Sequence, residues 1–215
     1  MKYFTIKIIG LSLVLFISLG NQGMAQSSIT IDASQYISNF AFELSDGTQD
    51  SEYSPVYGGG YSLGYSYELD MGVFLNGGLG MRPGGATLVV DNTNYQWDLQ
   101  YAQIRLGAGY AYDLGRIKPY IAVDGYYGLL LTANQRINNE DFDIIDSESI
   151  EKNDVGIYVS PGAKLAVSDA ITVYAQYSYL LGLNNVETTT DGQNAKNRAS
   201  VFTLGLSFSI EPLSK

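Results

Sequence analysis

From residue 155 to 165 the apolar and small polar positions alternate. Val155, Ile157, Val159, Pro161, Ala163 and Leu165 take one face, and Gly156, Tyr158, Ser160, Gly162 and Lys164 take the other. A polar break at Ser168 and Asp169 follows, and the alternation then resumes. Ile171, Val173, Ala175, Tyr177, Tyr179, Leu181 and Leu183 share a face opposite Thr172, Tyr174, Gln176, Ser178 and Gly182. Period two on both sides of a short break predicts a β-hairpin. Its arms exceed the usual strand of about five or six residues and are long enough to cross a bilayer when tilted. A three-residue turn over 168–170 would set Lys164 opposite Tyr174.

Six more segments alternate in the same way. The first, 35–44, puts Tyr36, Phe40, Phe42 and Leu44 on one face. The second, 56–68, sets Tyr57, Tyr61, Leu63, Tyr65 and Tyr67 against Gly58, Gly60, Ser62, Gly64 and Ser66. The third, 71–83, sets Val73, Leu75, Leu79 and Met81 against Asn76, Gly78, Gly80 and Arg82. In the fourth, 96–112, Ile104, Leu106, Ala108, Tyr110 and Tyr112 oppose Arg105, Gly107 and Gly109. Trp97, Leu99 and Tyr101 have the other phase, which predicts a bulge near Tyr101 and Ala102. The fifth, 117–132, sets Ile121, Val123, Tyr127, Leu129 and Leu131 against Lys118, Asp124 and Tyr126. The hairpin supplies the sixth and seventh. The eighth, 199–210, turns Phe202, Leu204, Leu206, Phe208 and Ile210 one way and Thr203, Gly205 and Ser207 the other.

The connections alternate too. Tight links at Leu69-Asp70, Leu114-Gly115 and Ser168-Asp169 alternate with long polar ones over 45–55, 84–95, 133–151 and 184–196. An even number of long strands with short turns at one end and long loops at the other predicts an all-β fold: an eight-stranded antiparallel up-and-down transmembrane β-barrel. A soluble barrel or sandwich also alternates, but covers its polar face with Lys, Glu and Asp. Here that face is Gly, Ser, Thr and Asn with isolated charges, which suits a crowded lumen. Tyrosines and Trp97 near strand ends suit an aromatic girdle.

Composition narrows the function classes. Charged residues make up 16%, against about 25% in soluble domains. The net charge is −10, and −12 once Lys2 and Lys7 are subtracted, which disfavours nucleic acid as a partner. Those two lysines, the apolar run 8–19 and the small residues of Gly23-Met24-Ala25 predict a cleaved signal peptide over 1–25 and a barrel over 26–215. No Cys stands at the cleavage point to accept a lipid.

The chain has no His, so a Ser nucleophile or an activated water lacks its usual base, and no enzyme is expected. No cofactor is expected either. The acidic loop with Glu140, Asp141, Asp143, Asp146, Glu148 and Glu151 offers oxygen ligands for Ca²⁺ but lacks the EF-hand spacing and its Gly. It reads first as a solvated acidic loop.

The strand phases point six charges inward: Glu68, Arg82, Arg105, Asp124, Asp154 and Lys164. A two-residue turn at Leu114-Gly115 would place Arg105 directly opposite Asp124. Unpaired buried charges are costly, so these residues are expected to form a network that closes the lumen.

Met81-Arg82-Pro83-Gly84-Gly85-Ala86, Lys118-Pro119-Tyr120-Ile121, and Tyr177-Ser178-Tyr179 followed by Gly182-Leu183-Asn184-Asn185 carry a resemblance to a known family. With them the mature chain resembles the PorT-like, porin-family outer-membrane barrels of Bacteroidota. The end of the eighth strand, with Gly205, Phe208 and Ile210, resembles the signal by which such barrels are recognised for assembly, although this chain continues for five residues beyond Ile210. The resemblance implies the outer membrane of a Gram-negative bacterium. Outer-membrane lipid, lipopolysaccharide and the barrel-assembly machinery are the partners it implies. A structural or interaction role, a small porin or uptake channel, and an accessory part of a secretion apparatus are the roles left open.

Overall fold

A computed structural model describes residues 26–43, 49–50, 53–69, 71–147, 150–187 and 194–210. The expected signal peptide, most of the first loop and the tip of the fourth lie outside these residues.

Eight long strands run up and down: β1 (Gln26–Glu43), β3 (Ser54–Glu68), β4 (Val73–Val90), β5 (Thr93–Ala111), β6 (Ile117–Ile137), β8 (Asn153–Ala166), β9 (Ile171–Gly182) and β10 (Asn194–Ser209). Two short strands, β2 (Gln49–Asp50) and β7 (Glu140–Asp143), edge β1 and β6. Every neighbouring pair is antiparallel, and β10 pairs with β1 from Ser28↔Ser209 to Glu43↔Asn194, so the sheet closes on itself. Closure leaves no long edge strand and satisfies the backbone within the wall, as crossing a bilayer requires.

The register fixes the barrel's shape. One circuit from Ser28 passes Ser66, Asn76, Gly107, Asp124, Tyr158, Leu180 and Ala199 and returns to β1 at Ser38, so the shear, the offset from 28 to 38, is 10. Eight strands with that shear tilt by about 40° and enclose a backbone cylinder of about 8 Å radius. Side chains fill an interior of that size.

The outer wall is apolar at most positions around the barrel. Ile31, Leu63, Leu79, Leu106, Val123 and Leu204 are all exposed, Leu204 at 68%. On β8 and β9, Tyr158, Ser160, Ser178 and Leu180 are buried inside while Val159 and Val173 face out. Lys164 pairs with Tyr174, as a three-residue turn requires.

Four details differ from the sequence reading. The first strand begins at Gln26, nine residues early, and Ser28, Thr30, Asp32 and Ser34 continue its inward face. The residues 84–95 are strand, closed by a tight turn at Asp91 and Asn92 with φ of 48° and 65°. That left-handed pair is the type I′ geometry, whose twist matches the hairpin and which Asn and Asp tolerate. Asn138 and Asn139 repeat it between β6 and β7, with φ of 47° and 72°. Two of the expected loops are therefore largely β-ribbon projecting beyond the barrel.

The third difference is the bulge. β5 keeps a single phase, and the extra residue is Leu131 on β6, between Gln100↔Thr132 and Tyr101↔Leu130. Trp97, Leu99 and Tyr101 consequently point inward and do not join an outer girdle. Above the belt the outer face meets no apolar phase, so apolar residues there are driven inside. The fourth difference is the β5–β6 turn. Asp113 Oδ1 accepts from the Gly115 backbone N–H at 2.7 Å, and Leu114 N donates to Ile117 O at 3.2 Å. The turn residues are therefore Gly115 and Arg116, one position later than Leu114-Gly115, and this displacement puts Arg105 opposite Tyr126 and Asp124 opposite Gly107.

Candidate functional site: the filled lumen

The structure sorts the charges Glu68, Arg82, Arg105, Asp124, Asp154 and Lys164 into layers along the barrel. At the tight-turn end Glu68 is held between Lys118 at 2.9 Å and Lys164 at 3.0 Å. The Lys164 ammonium also lies 4.1 Å from the centre of the Phe74 ring. Glu68 and Lys164 are both among the expected network; the strand phase places Lys118 inside too, but only the structure joins it to Glu68.

The middle layer surrounds a polar chamber of about 90 Å³ lined by Asp32, Ser62, Asn76, Arg105, Asp124 and Tyr174, among others. Asp32 accepts from Ser62 Oγ at 2.6 Å and from Tyr174 Oη at 2.9 Å. Arg105 donates to Ser62 Oγ at 2.9 Å and faces Asp32 at 3.8 Å. Asp124 accepts from Asn76 Nδ2 at 2.7 Å. The expected Arg105–Asp124 pair is therefore replaced by Arg105–Asp32, because the turn at 112–116 shifts the register by two. Asp32 escapes sequence reading when the first strand is started at residue 35. The alternation Ile29, Ile31, Ala33 against Ser28, Thr30, Asp32 is the signal that finds it.

Higher up, Tyr158 donates to Gln103 Oε1 at 2.9 Å and meets Tyr36 Oη at 3.5 Å. Arg82 and Asp154 then form an ion pair whose side chains are 1% and 3% exposed. Tyr126 Oη donates to the same carboxylate at 2.9 Å. The Arg82 guanidinium lies 4.3 Å from the Tyr101 ring centre and 5.1 Å from that of Tyr126. A planar cation is well matched to two aromatic faces and one carboxylate.

An apolar cap covers this layer. Phe40, Ala86, Leu99, Leu130, Ala133, Ile150 and Val186 are buried together, with Tyr53, Trp97, Ile144 and Ile145 packed on them. Hydrogen bonds from Ile144 N to Ala133 O at 2.9 Å and from Val186 N to Ala195 O at 2.8 Å tie the third and fourth loops over the mouth. The acidic ribbon stands outside the cap. Asp141 pairs with Arg136 at 2.7 Å and Asp146 faces Lys152 at 3.8 Å. Glu148 lies outside the described residues, and among those described no three carboxylates gather as a metal site would need.

The Gly-rich inner face has a specific use. Directly across the ladder, Phe74 faces Gly109, Tyr120 faces Gly162, Tyr126 faces Gly156 and Tyr174 faces Gly205. A Cβ at each of these glycines would run into the facing ring. The glycines thus make room for aromatic side chains to lie across the wall and reach their partners, Tyr174 reaching Asp32 over Gly205 and Tyr126 reaching Asp154 over Gly156. Of the expected assembly residues, Gly205 therefore has a packing role inside, while Phe208 and Ile210 are exposed on the outer wall at the end of β10.

The arrangement offers charge pairing, hydrogen bonding and close aromatic packing. The fold it builds is found in known outer-membrane proteins. Neisserial surface protein A is similar over 86% of this chain and 99% of its own, at 15% identity and a TM-score of 0.52. A major outer membrane protein from Thermus thermophilus is similar over the same shares, 86% and 99%, at 11% identity and a TM-score of 0.52. No curated protein sequence matches the chain. The family described as outer membrane protein beta-barrel domain matches residues 9–208, which takes in almost the whole of all eight long strands. The chain belongs to the outer membrane protein β-barrel domain family.

Proposed function

We propose that this outer-membrane barrel is a structural and interaction protein with a lumen closed by its own side chains. The observation that carries the reading is the buried Arg82–Asp154 pair, packed between Tyr101 and Tyr126 beneath an apolar cap. A conducting pore keeps a continuous polar path, whereas here the polar chamber ends beneath a layer of aromatic rings. In this reading the tight turns and Gln26 face the periplasm, residues 1–25 direct export, and the four longer connections face outward. The β4–β5 and β6–β7 ribbons then present Asp91, Glu140, Asp141 and Phe142 to the surroundings. The motifs around Arg82, Lys118 and Tyr177 support the PorT-like, porin-family type within the family. The outward Phe208 and Ile210 at the end of β10 support recognition by the assembly machinery.

Planar-bilayer recording of purified protein tests the closed lumen. The expected result is a bilayer that stays silent after insertion; reproducible unitary steps would make the small-porin role the correct one.

A further inference from the structure

β10 carries a second chemistry above its apolar belt. Its odd residues are buried inside, so Lys196, Arg198 and Ser200 continue the outward column of Phe202, Leu204, Leu206 and Phe208. At about 3.3 Å per residue and a tilt of about 40°, Arg198 lies about 30 Å above Ile210. The apolar belt of such barrels is about 25 Å tall, so Arg198 and Lys196 stand at the level of lipid headgroups.

The surroundings single these two cations out. The other cations at this end have carboxylate partners, Arg136 with Asp141 at 2.7 Å and Lys152 with Asp146 at 3.8 Å. Neither Lys196 nor Arg198 forms an ion pair with a described carboxylate, although the chain as a whole carries a net charge of −10. Arg198 Nη1 donates to Gly182 O at 3.0 Å, which ties the guanidinium to the wall at the end of β9. Beneath it, Tyr177 Oη bonds Ser200 Oγ at 2.9 Å and the Tyr177 ring packs 5.1 Å from that of Phe202. With the exposed Tyr179 they form an interfacial aromatic shelf directly under the two charges.

We propose that Lys196 and Arg198 bind the phosphate of an outer-leaflet glycolipid whose acyl chains lie on the β9–β10 wall. The guanidinium supplies a planar pair of donors and the ammonium a compact charge, both suited to phosphate oxygens. The apolar column below supplies the surface for the chains. The proposal rests on the membrane reading with the ribbon end outward.

The test uses the full mature chain in nanodiscs of zwitterionic phospholipid, doped with bisphosphorylated lipid A or with its dephosphorylated form. Retained lipid is read by native mass spectrometry, with inorganic phosphate as a third probe. The phosphorylated lipid is expected to be retained selectively and inorganic phosphate not to displace it. Lys196→Gln, which touches no hydrogen bond of the wall, should weaken retention about fivefold, and K196Q/R198Q roughly thirtyfold. Equal retention by wild type and both variants, or no preference for phosphate, overturns the proposal and leaves the membrane reading standing. Failure of the wild-type chain to enter the nanodisc contradicts the membrane reading itself.

Discussion

Arg82→Met is expected to destabilise the barrel by about 3–5 kcal/mol, the usual consequence of leaving a buried charge without its partner. Asp154 would then sit in a layer of tyrosine rings without its ion-pair partner, Tyr126 still donating to it, and both members of the pair are almost fully buried. The double variant Arg82→Met/Asp154→Leu removes the stranded charge as well and is expected to recover most of that loss, because a packed apolar pair often matches a buried ion pair. Urea unfolding in lipid vesicles, followed by heat-modifiable gel migration, measures both. A loss below about 1 kcal/mol for Arg82→Met, the range of exposed ion pairs, would mean that water reaches the layer and that the lumen is open there.

Leu204→Arg is expected to cost about 2–4 kcal/mol, the penalty for a cation on the lipid face near the bilayer midplane. Leu204 is 68% exposed, midway along the outward column of β10, beside Ala33 and Ala175 on the neighbouring strands. On a water-facing wall the same change would cost little, because exposed substitutions usually stay within about 0.5 kcal/mol. The same unfolding experiment separates the two outcomes, and a near-neutral Leu204→Arg would contradict a lipid-facing wall.

The hairpin of β8 and β9 is fully legible from sequence, because period two is strict on both arms and a short polar turn leaves little freedom in register. Lys164 opposite Tyr174 and outward Val159 and Val173 follow from that alone. The Arg105 partner is not legible. It depends on which two residues make the turn after Tyr112, and the Leu114–Ile117 bond, with Asp113 accepting from the Gly115 N–H, puts them at Gly115 and Arg116. Asp32 stays hidden because Ser28, Thr30, Asp32 and Ser34 alternate with only three apolar residues, too weak a pattern to extend the strand. The upper half of β5 misleads for a different reason. Trp97, Leu99 and Tyr101 follow the rule that apolar residues leave water, but above the belt the water-free side is the inside of the cap. Likewise, the inner glycines can be read as clearance, but which ring each one accommodates emerges only from cross-strand register.

The most direct test of a membrane barrel with a filled lumen is an accessibility scan along β8. The chain contains no Cys, so single-cysteine variants at the positions from Val155 to Leu165 other than Gly156 and Gly162, where a side chain would strike the facing ring, can carry one spin label each in lipid bilayers. Collisions with oxygen, which partitions into lipid, and with a water-soluble nickel chelate are then compared at every site. The expected pattern is period two: high oxygen access at Ile157, Val159, Pro161 and Ala163, and low access to both reagents at Tyr158 and Ser160. High nickel access at the even positions would reveal a water-filled pore, and high nickel access at the odd positions would place this wall in water.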